Sequence, residues 1–485
     1  LYEDFFYNHV PGTAWLFRAS YAATPGDHLL FSSRLVVFFG WVLFGAAVAW
    51  LTWRLTRSRP LTLFAALSLL ANDMTLGVVG MTATNNFLPA PFAFLGLGLF
   101  ILGLRGEGLR ENGGGTAKAS EPRALPIAIA GLCLSIAATL KVSAGAFIPP
   151  VALAAFVAPA GLGFIDRIKK VAAPLAAGGV IGAAPLLATL ARAPDIFFAH
   201  VLGFHTGPHV AYWAAQSGAG GESVAMSLGA KLMLAFAVWF SGANLILLFL
   251  VLVLLALMLA NAGGANKTLF SDRPLLLILA IVAFVLVLSF APTPSFPQYF
   301  APPILILPLL LALLFGHLAE TQKPVINMVF AMGALTCLVL AAPRLAQHAP
   351  KAATPDKWTV NKVHRGGRDI AAAMAAAGIE GKVATLLPVY PLEGGLPVYA
   401  EFATGQFAYR LADITEPSLA QYYKTTSPTQ VEALFQADPP AAILVGFEPA
   451  LEAPFVRFAE KNGYRRVADF ALKDRYGDGV LFLKP

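Results

Sequence analysis

Ten apolar stretches run through the first 342 positions of this chain, near residues 33–53, 62–80, 83–104, 125–140, 142–159, 171–191, 242–260, 274–290, 301–317 and 324–342. A helix needs about 20 mostly apolar residues to cross the hydrocarbon core of a bilayer. The pattern therefore predicts a polytopic α-helical membrane protein with about ten transmembrane helices. Two places interrupt it: Asn72 and Asp73 fall inside the second stretch, and Lys141 separates the fourth from the fifth.

Charge is spread unevenly. Only 13% of the 485 residues are charged, against about 25% in an ordinary soluble domain. Of the 61 Asp, Glu, Lys and Arg residues, 31 fall in residues 343–485 and the other 30 are diluted through the first 342. The chain divides into a membrane part, 1–342, and a soluble tail, 343–485. The tail reads as a small α/β domain: an Ala-rich helix over about 367–377 ending at Gly378, then strands at KVATLLPV, AAILVGF and GVLFLKP. No glycine fingerprint follows a strand, so a dinucleotide site is not expected. GGGTAK, 113–118, lacks the Gly-Lys-Ser/Thr ending of a phosphate-binding loop and reads as a linker.

Lys and Arg in short loops favour the cytoplasm. With residues 1–32 outside, 13 of the 18 basic residues before 343 fall in inner loops. Arg18, Arg34, Lys141, Arg192 and Lys231 stay on the outer side. That topology makes 1–32, 192–241 and the tail extracytoplasmic. The basic residues form no stripe with interleaved aromatics, so nucleic acid is not an expected partner. Cys133 and Cys337 both sit in apolar runs, which fits packing and offers neither a disulfide framework nor a zinc cluster. The chain begins at Leu1 with loop-like residues and no initiator Met, so a further transmembrane helix is expected to precede it.

Chemistry is concentrated at the outer rim. The opening LYEDFFYNHVPG places Glu3 and Asp4 among Tyr2, Phe5, Phe6, Tyr7 and His9, followed by a Pro11-Gly12 turn that steers the chain back to the bilayer. A carboxylate in such a partly dry setting can act as a general base. Lys141 lies between two apolar segments, costly unless it is solvated or paired; it either snorkels to the interface or holds an anion. His205 and His209 are spaced four apart, but Gly207-Pro208 breaks any helix that would make them a metal pair.

Tyr2-Glu3-Asp4 followed by His9-Val-Pro-Gly12 resembles the first external loop of the GT-C integral-membrane glycosyltransferases, the superfamily of protein O-mannosyltransferases and lipid A aminoarabinose transferases. GLCLSIAATLKVSAG, 131–145, resembles that family's helix ending in Thr-x-Lys or Leu-Lys, and QYFAPPILILP, 298–308, its Tyr and Pro signature before a late helix. The resemblance implies a transferase of the bacterial cytoplasmic membrane that uses a polyprenyl-phosphate sugar as donor and an envelope glycan, lipid or protein hydroxyl as acceptor. It makes Asp4 the base, with Glu3 auxiliary, because adjacent residues in an extended loop point to opposite sides. It makes Lys141 the partner of the donor phosphate, and assigns Tyr2, His9, His205, Gln298 and Tyr299 to substrate. No cofactor is implied, with a divalent metal left open.

The sequence departs from the family where a second Asp is often found. It carries Thr84-Asn85-Asn86 there, leaving Asn85 as a substrate contact and Asp73 as a possible substitute for the missing carboxylate. The Trp-Asp motif of oligosaccharyltransferases is absent. A transporter or flippase is the rival reading, since it too needs many helices and a few intramembrane charges. Such proteins tend to show inverted repeats, and no convincing internal repeat is found here.

Overall fold

The computed structural model describes residues 1–105, 121–159, 161–216, 224–260 and 272–485; the glycine-rich linker 113–118 lies outside the described residues. Every apolar stretch overlaps a helix, but the lengths differ from the expectation of ten spans. Among the described residues, five helices are long and apolar enough to cross a membrane: Leu29–Thr56, Phe164–Arg192, Gly242–Ala260, Pro297–Phe315 and Lys323–Ala352. A sixth candidate is the pair Arg59–Leu70 and Asp73–Gly80, bent by 42°. The bend is built by Asn72, whose Oδ1 accepts from the backbone N–H groups of Met74 (3.1 Å) and Thr75 (3.4 Å) and caps a second helix in mid-span. Pro89–Arg105, Ala124–Leu140, Val142–Val157 and Arg273–Leu288 are apolar but shorter than 18 residues. Lys141 is one cause: its extended backbone (φ −154°, ψ 124°) ends one helix before the next begins.

The chain is a multi-pass membrane protein. Pro297–Phe315, apolar all round, is its central helix, with 83% of its span buried inside the protein, whereas Phe164–Arg192 lies at the periphery with 17%. That outer helix is held by a seam of glycines. A Cβ at Gly178 would stand 1.8 Å from the carbonyl oxygen of Ala128, and one at Gly131 2.0 Å from that of Leu175. Two backbones this close require small residues at the crossing.

Three boundaries differ from the sequence reading. Residues 1–32 are not all loop: Gly12–Ala23 is a helix. The second external segment contains the helices Pro208–Gln216 and Leu228–Trp239. The last apolar helix continues past residue 342 to Ala352, because its end turns polar without losing helical form, and Arg344 there pairs with Asp73 at 2.8 Å.

In the tail the first helix starts earlier than expected, at Thr359, and runs to Ala376, with Gly378 in the left-handed region (φ +66°) closing it. β1 (Val383–Ala384) pairs parallel with β2 (Ala442–Val445), and β2 pairs antiparallel with β5 (Gly477–Leu483). β3 (Arg465–Arg466) and β4 (Leu472–Asp474) both pair with β5. The fully buried β2 carries the tail's core.

Polar contacts fasten the tail to the membrane part. Buried Glu393 accepts from the N–H of Leu30 and holds His364 Nδ1 at 2.8 Å, His364 stacks on His28 with 3.5 Å between ring centroids, and Arg368 binds Asp27. Ligand atoms of Asp27, His28 and His364 lie within 4.8 Å of one another. The imidazole planes, however, are only 16° from parallel, so their in-plane lone pairs do not meet at a single ion, and Arg368 already neutralises Asp27.

Candidate active site

A cavity of about 530 Å³ opens where the first external loop, the end of Ala124–Leu140, the start of Pro89–Arg105, the second external segment and the approach to Pro297–Phe315 meet. Its floor is apolar, with Phe94, Phe147, Leu305 and Ile306, and its wall carries Lys141, His9, His205, His209, Asn85, Gln298 and Tyr299. No Asp or Glu lines it among the described residues.

Lys141 is the cavity's cation. Its Nζ donates to Asn86 Oδ1 at 2.8 Å and stands 5.6 Å from the centroid of the Tyr299 ring. A neutral amide and an aromatic face solvate an ammonium without neutralising it. An unneutralised charge in apolar surroundings costs several kcal/mol, and an entering anion removes that cost. Such surroundings leave the ammonium able to take an anion.

The first loop is pinned against this cation from several sides. Thr13 donates from Oγ1 to the carbonyl of Leu140 at 2.9 Å, next to Lys141, and Gly12 touches the backbone of Thr139. Tyr2 donates from its hydroxyl to the His9 carbonyl at 2.7 Å. The N–H of Tyr7 donates to His200 Nδ1 at 3.2 Å. That acceptor role leaves the proton on His200 Nε2, which donates to the Tyr422 carbonyl of the tail at 3.0 Å. His205 Nε2 lies 2.9 Å from the carbonyl oxygen of Asn8.

The three wall histidines cluster: the His9 and His205 rings are 6.0 Å apart, and those of His205 and His209 5.6 Å. Burial, then His205 and Lys141, push His9 down to about 3. Burial, then His205 and Arg410, push His209 down to about 4. His205 is lowered by burial and by Lys141 against the raising effect of its bond to Asn8. Burial thus favours the neutral form of all three imidazoles.

The structure thus gathers Lys141, His9, Asn85, His205, Gln298 and Tyr299 around one cavity and leaves four sequence candidates outside it. Tyr2 is a buried strut beneath His9. Asp73 binds Arg344 instead of a substrate space. Glu3 and Asp4 are exposed, the Asp4 side chain by 76%, and neither lines the cavity. The cause is local: Tyr2 and Phe6 on either side both turn inward, onto Phe197 and His200 (ring centroids 5.8 and 5.2 Å) and onto His200 and Phe204 (5.1 and 4.9 Å). The residues between them are left facing out. Asn86, the direct partner of Lys141, carries no sequence signal that separates it from Asn85.

No sequence-family profile matches the chain, and no curated protein matches it. In three dimensions it is similar to ArnT of Cupriavidus metallidurans in the apo state, with a TM-score of 0.61 and 13% identity over 98% of this chain and 88% of ArnT. The chain has the fold of this ArnT. It is also matched by the Archaeoglobus fulgidus oligosaccharyltransferase tethered to an acceptor peptide, with a TM-score of 0.49 and 13% identity over 98% of this chain and 67% of that one. The same oligosaccharyltransferase in complex with an inhibitory peptide and a dolichol-phosphate gives a TM-score of 0.45 and 11% identity, over 93% and 63%.

Proposed function

We propose that this protein moves a sugar from a polyprenyl-phosphate donor to an acceptor hydroxyl of an envelope glycan, lipid or protein, on the outer face of a bacterial cytoplasmic membrane. The observation that carries the reading is Lys141, an ammonium without a carboxylate partner among the described residues, on the wall of a cavity that is otherwise mostly apolar. Such a site fits a phosphate whose remaining substituent is lipid. Val142 and Leu202, both about half exposed, flank the cavity and offer the lipid an apolar exit. A fixed cation helps most where negative charge develops, here on the departing polyprenyl phosphate. The orientation rests on the 13 to 5 bias of basic residues, which puts residues 1–32, 192–241 and the tail outside. In this reading 1–342 is the transferase body and 343–485 the domain that closes the acceptor side, joined to the first loop through His200 and Tyr422.

The test is transfer itself. Purified protein in vesicles loaded with a panel of labelled polyprenyl-phosphate sugars is expected to move one label to a membrane or envelope acceptor, and Lys141→Met to lose most of that transfer while inserting and purifying normally. Passage of a label across the bilayer without any bond change would point to the flippase reading instead.

A further inference from the structure

We infer that Arg410 of the tail, with Trp213 and His209 of the second external segment, forms a subsite for an oxyanion, a carboxylate or phosphate that the acceptor carries and that takes no part in the reaction. That the ligand is the acceptor rests on the transferase reading above. The subsite itself rests on three side chains with unspent hydrogen-bonding groups at one seam of the fold.

The seam lies where the tail meets the helix Pro208–Gln216. Arg410, just past the short tail helix Gln406–Tyr409, is half-buried. Its guanidinium carbon stands 4.7 Å from the centroid of the Tyr212 ring, 5.1 Å from that of Trp213 and 5.2 Å from that of Phe407. Three aromatic rings hold and orient a cation without taking up its N–H donors. Arg410 Nε is buried and has no hydrogen-bond partner among the described residues. The same is true of Trp213 Nε1 and His209 Nδ1, in residues only 5% and 8% exposed. Buried donors left unpaired are costly, and an indole N–H and a guanidinium can only donate. The group that satisfies both is therefore one that only accepts, and the planar fork of an arginine matches a carboxylate or a phosphate.

His209 joins this seam to the cavity. It is part of the cavity wall, and its ring centroid lies 6.4 Å from that of Trp213 and 5.6 Å from that of His205. After burial and His205, Arg410 adds to the lowering of His209, just as Lys141, after burial, adds to that of His205. The row of imidazoles thus has a cation at each end: Lys141 among the membrane helices, where the donor phosphate is proposed, and Arg410 from the tail. An acceptor lying along this row presents its hydroxyl to the cavity and its acidic group to the tail. An arginine that only clamped the tail in place would need the same stacking but would give the protein no preference for an acid.

That preference is the test, and it needs no turnover. The protein in nanodiscs of phosphatidylcholine is assayed for retention of labelled hexyl glucuronide, hexyl phosphate and the neutral hexyl glucoside. The parent is expected to retain one of the two acids about tenfold to 100-fold more tightly than the glucoside, and the one retained tells carboxylate from phosphate. Arg410→Gln is expected to lose that preference and to retain the glucoside as the parent does. Trp213→Phe, which keeps a ring for Arg410 to stack on, and Arg410→Lys, which keeps the charge without the fork, are each expected to lose part of it, and they carry the test should Arg410→Gln not fold. Equal retention of all three compounds by the parent would overturn the subsite. So would a preference that survives Arg410→Gln, that is complete in both Trp213→Phe and Arg410→Lys, or that disappears only in Lys141→Met. An acid preference that depends on Arg410 in a protein that moves no sugar would leave the oxyanion subsite standing and overturn the transferase reading alone.

Discussion

At the scale of single residues, the wall histidines make the fold a pH-sensitive object. His9 and His209 hold about 3 and 4 in the folded state against an ordinary 6.5. The unfolded chain therefore binds protons there before the folded one does, and stability is complete above about pH 6.5 and lost as pH falls towards 4. The melting temperature in detergent is expected to drop between pH 7 and pH 5, and the drop to be smaller in the His9→Gln, His209→Gln double variant. Identical pH dependence in the two proteins would mean that these rings are not held neutral. The sequence makes part of this site legible because Lys141, Gln298 and Tyr299 are polar or punctuating residues beside apolar runs. The exposure of Asp4 is not legible. It depends on Tyr2 and Phe6 docking onto Phe197, His200 and Phe204, some two hundred positions away.

At the scale of elements, the short helix Gly12–Ala23 sets the distance between the first loop and the cation. A Cβ at Gly12 would stand 2.5 Å from the Thr139 carbonyl oxygen, so Gly12→Ala must lift the helix off the end of Ala124–Leu140. It is expected to destabilise the protein by about 1 to 3 kcal/mol, seen as a lower melting temperature, and to reduce transfer by moving His9 away from Lys141. Thr13→Val removes the bond to Leu140 and is expected to cost about 1 kcal/mol. A Gly12→Ala protein that melts with the parent would show that this contact does not fix the loop. Hydropathy marks where the membrane helices lie but not how they end, since the ends are made by single residues: the Asn72 cap and the extended backbone of Lys141. The loop helix escapes the sequence reading because Gly12–Ala23 mixes apolar and polar residues without a long apolar run.

At the scale of the whole molecule, charge distribution and apolar spacing indicate a membrane body followed by a small sheet-bearing tail; the strands at 442 and 477 fall on the β-rich runs, while KVATLLPV gives only the two-residue strand Val383–Ala384 before a helix starts at Val389. The docking of the tail is not legible, because it rests on pairings such as Glu393 with Leu30 and Tyr422 with His200 that no local pattern announces. This docking brings the tail to the segment that carries His205, so loop, helix end and tail act as one frame around Lys141. The most direct test is an experimental structure of the protein with a polyprenyl phosphate bound. A phosphate oxygen is expected about 2.8 Å from Lys141 Nζ, with the lipid chain leaving past Val142 and Leu202. A phosphate bound elsewhere, with Lys141 still held by Asn86 alone, would contradict it.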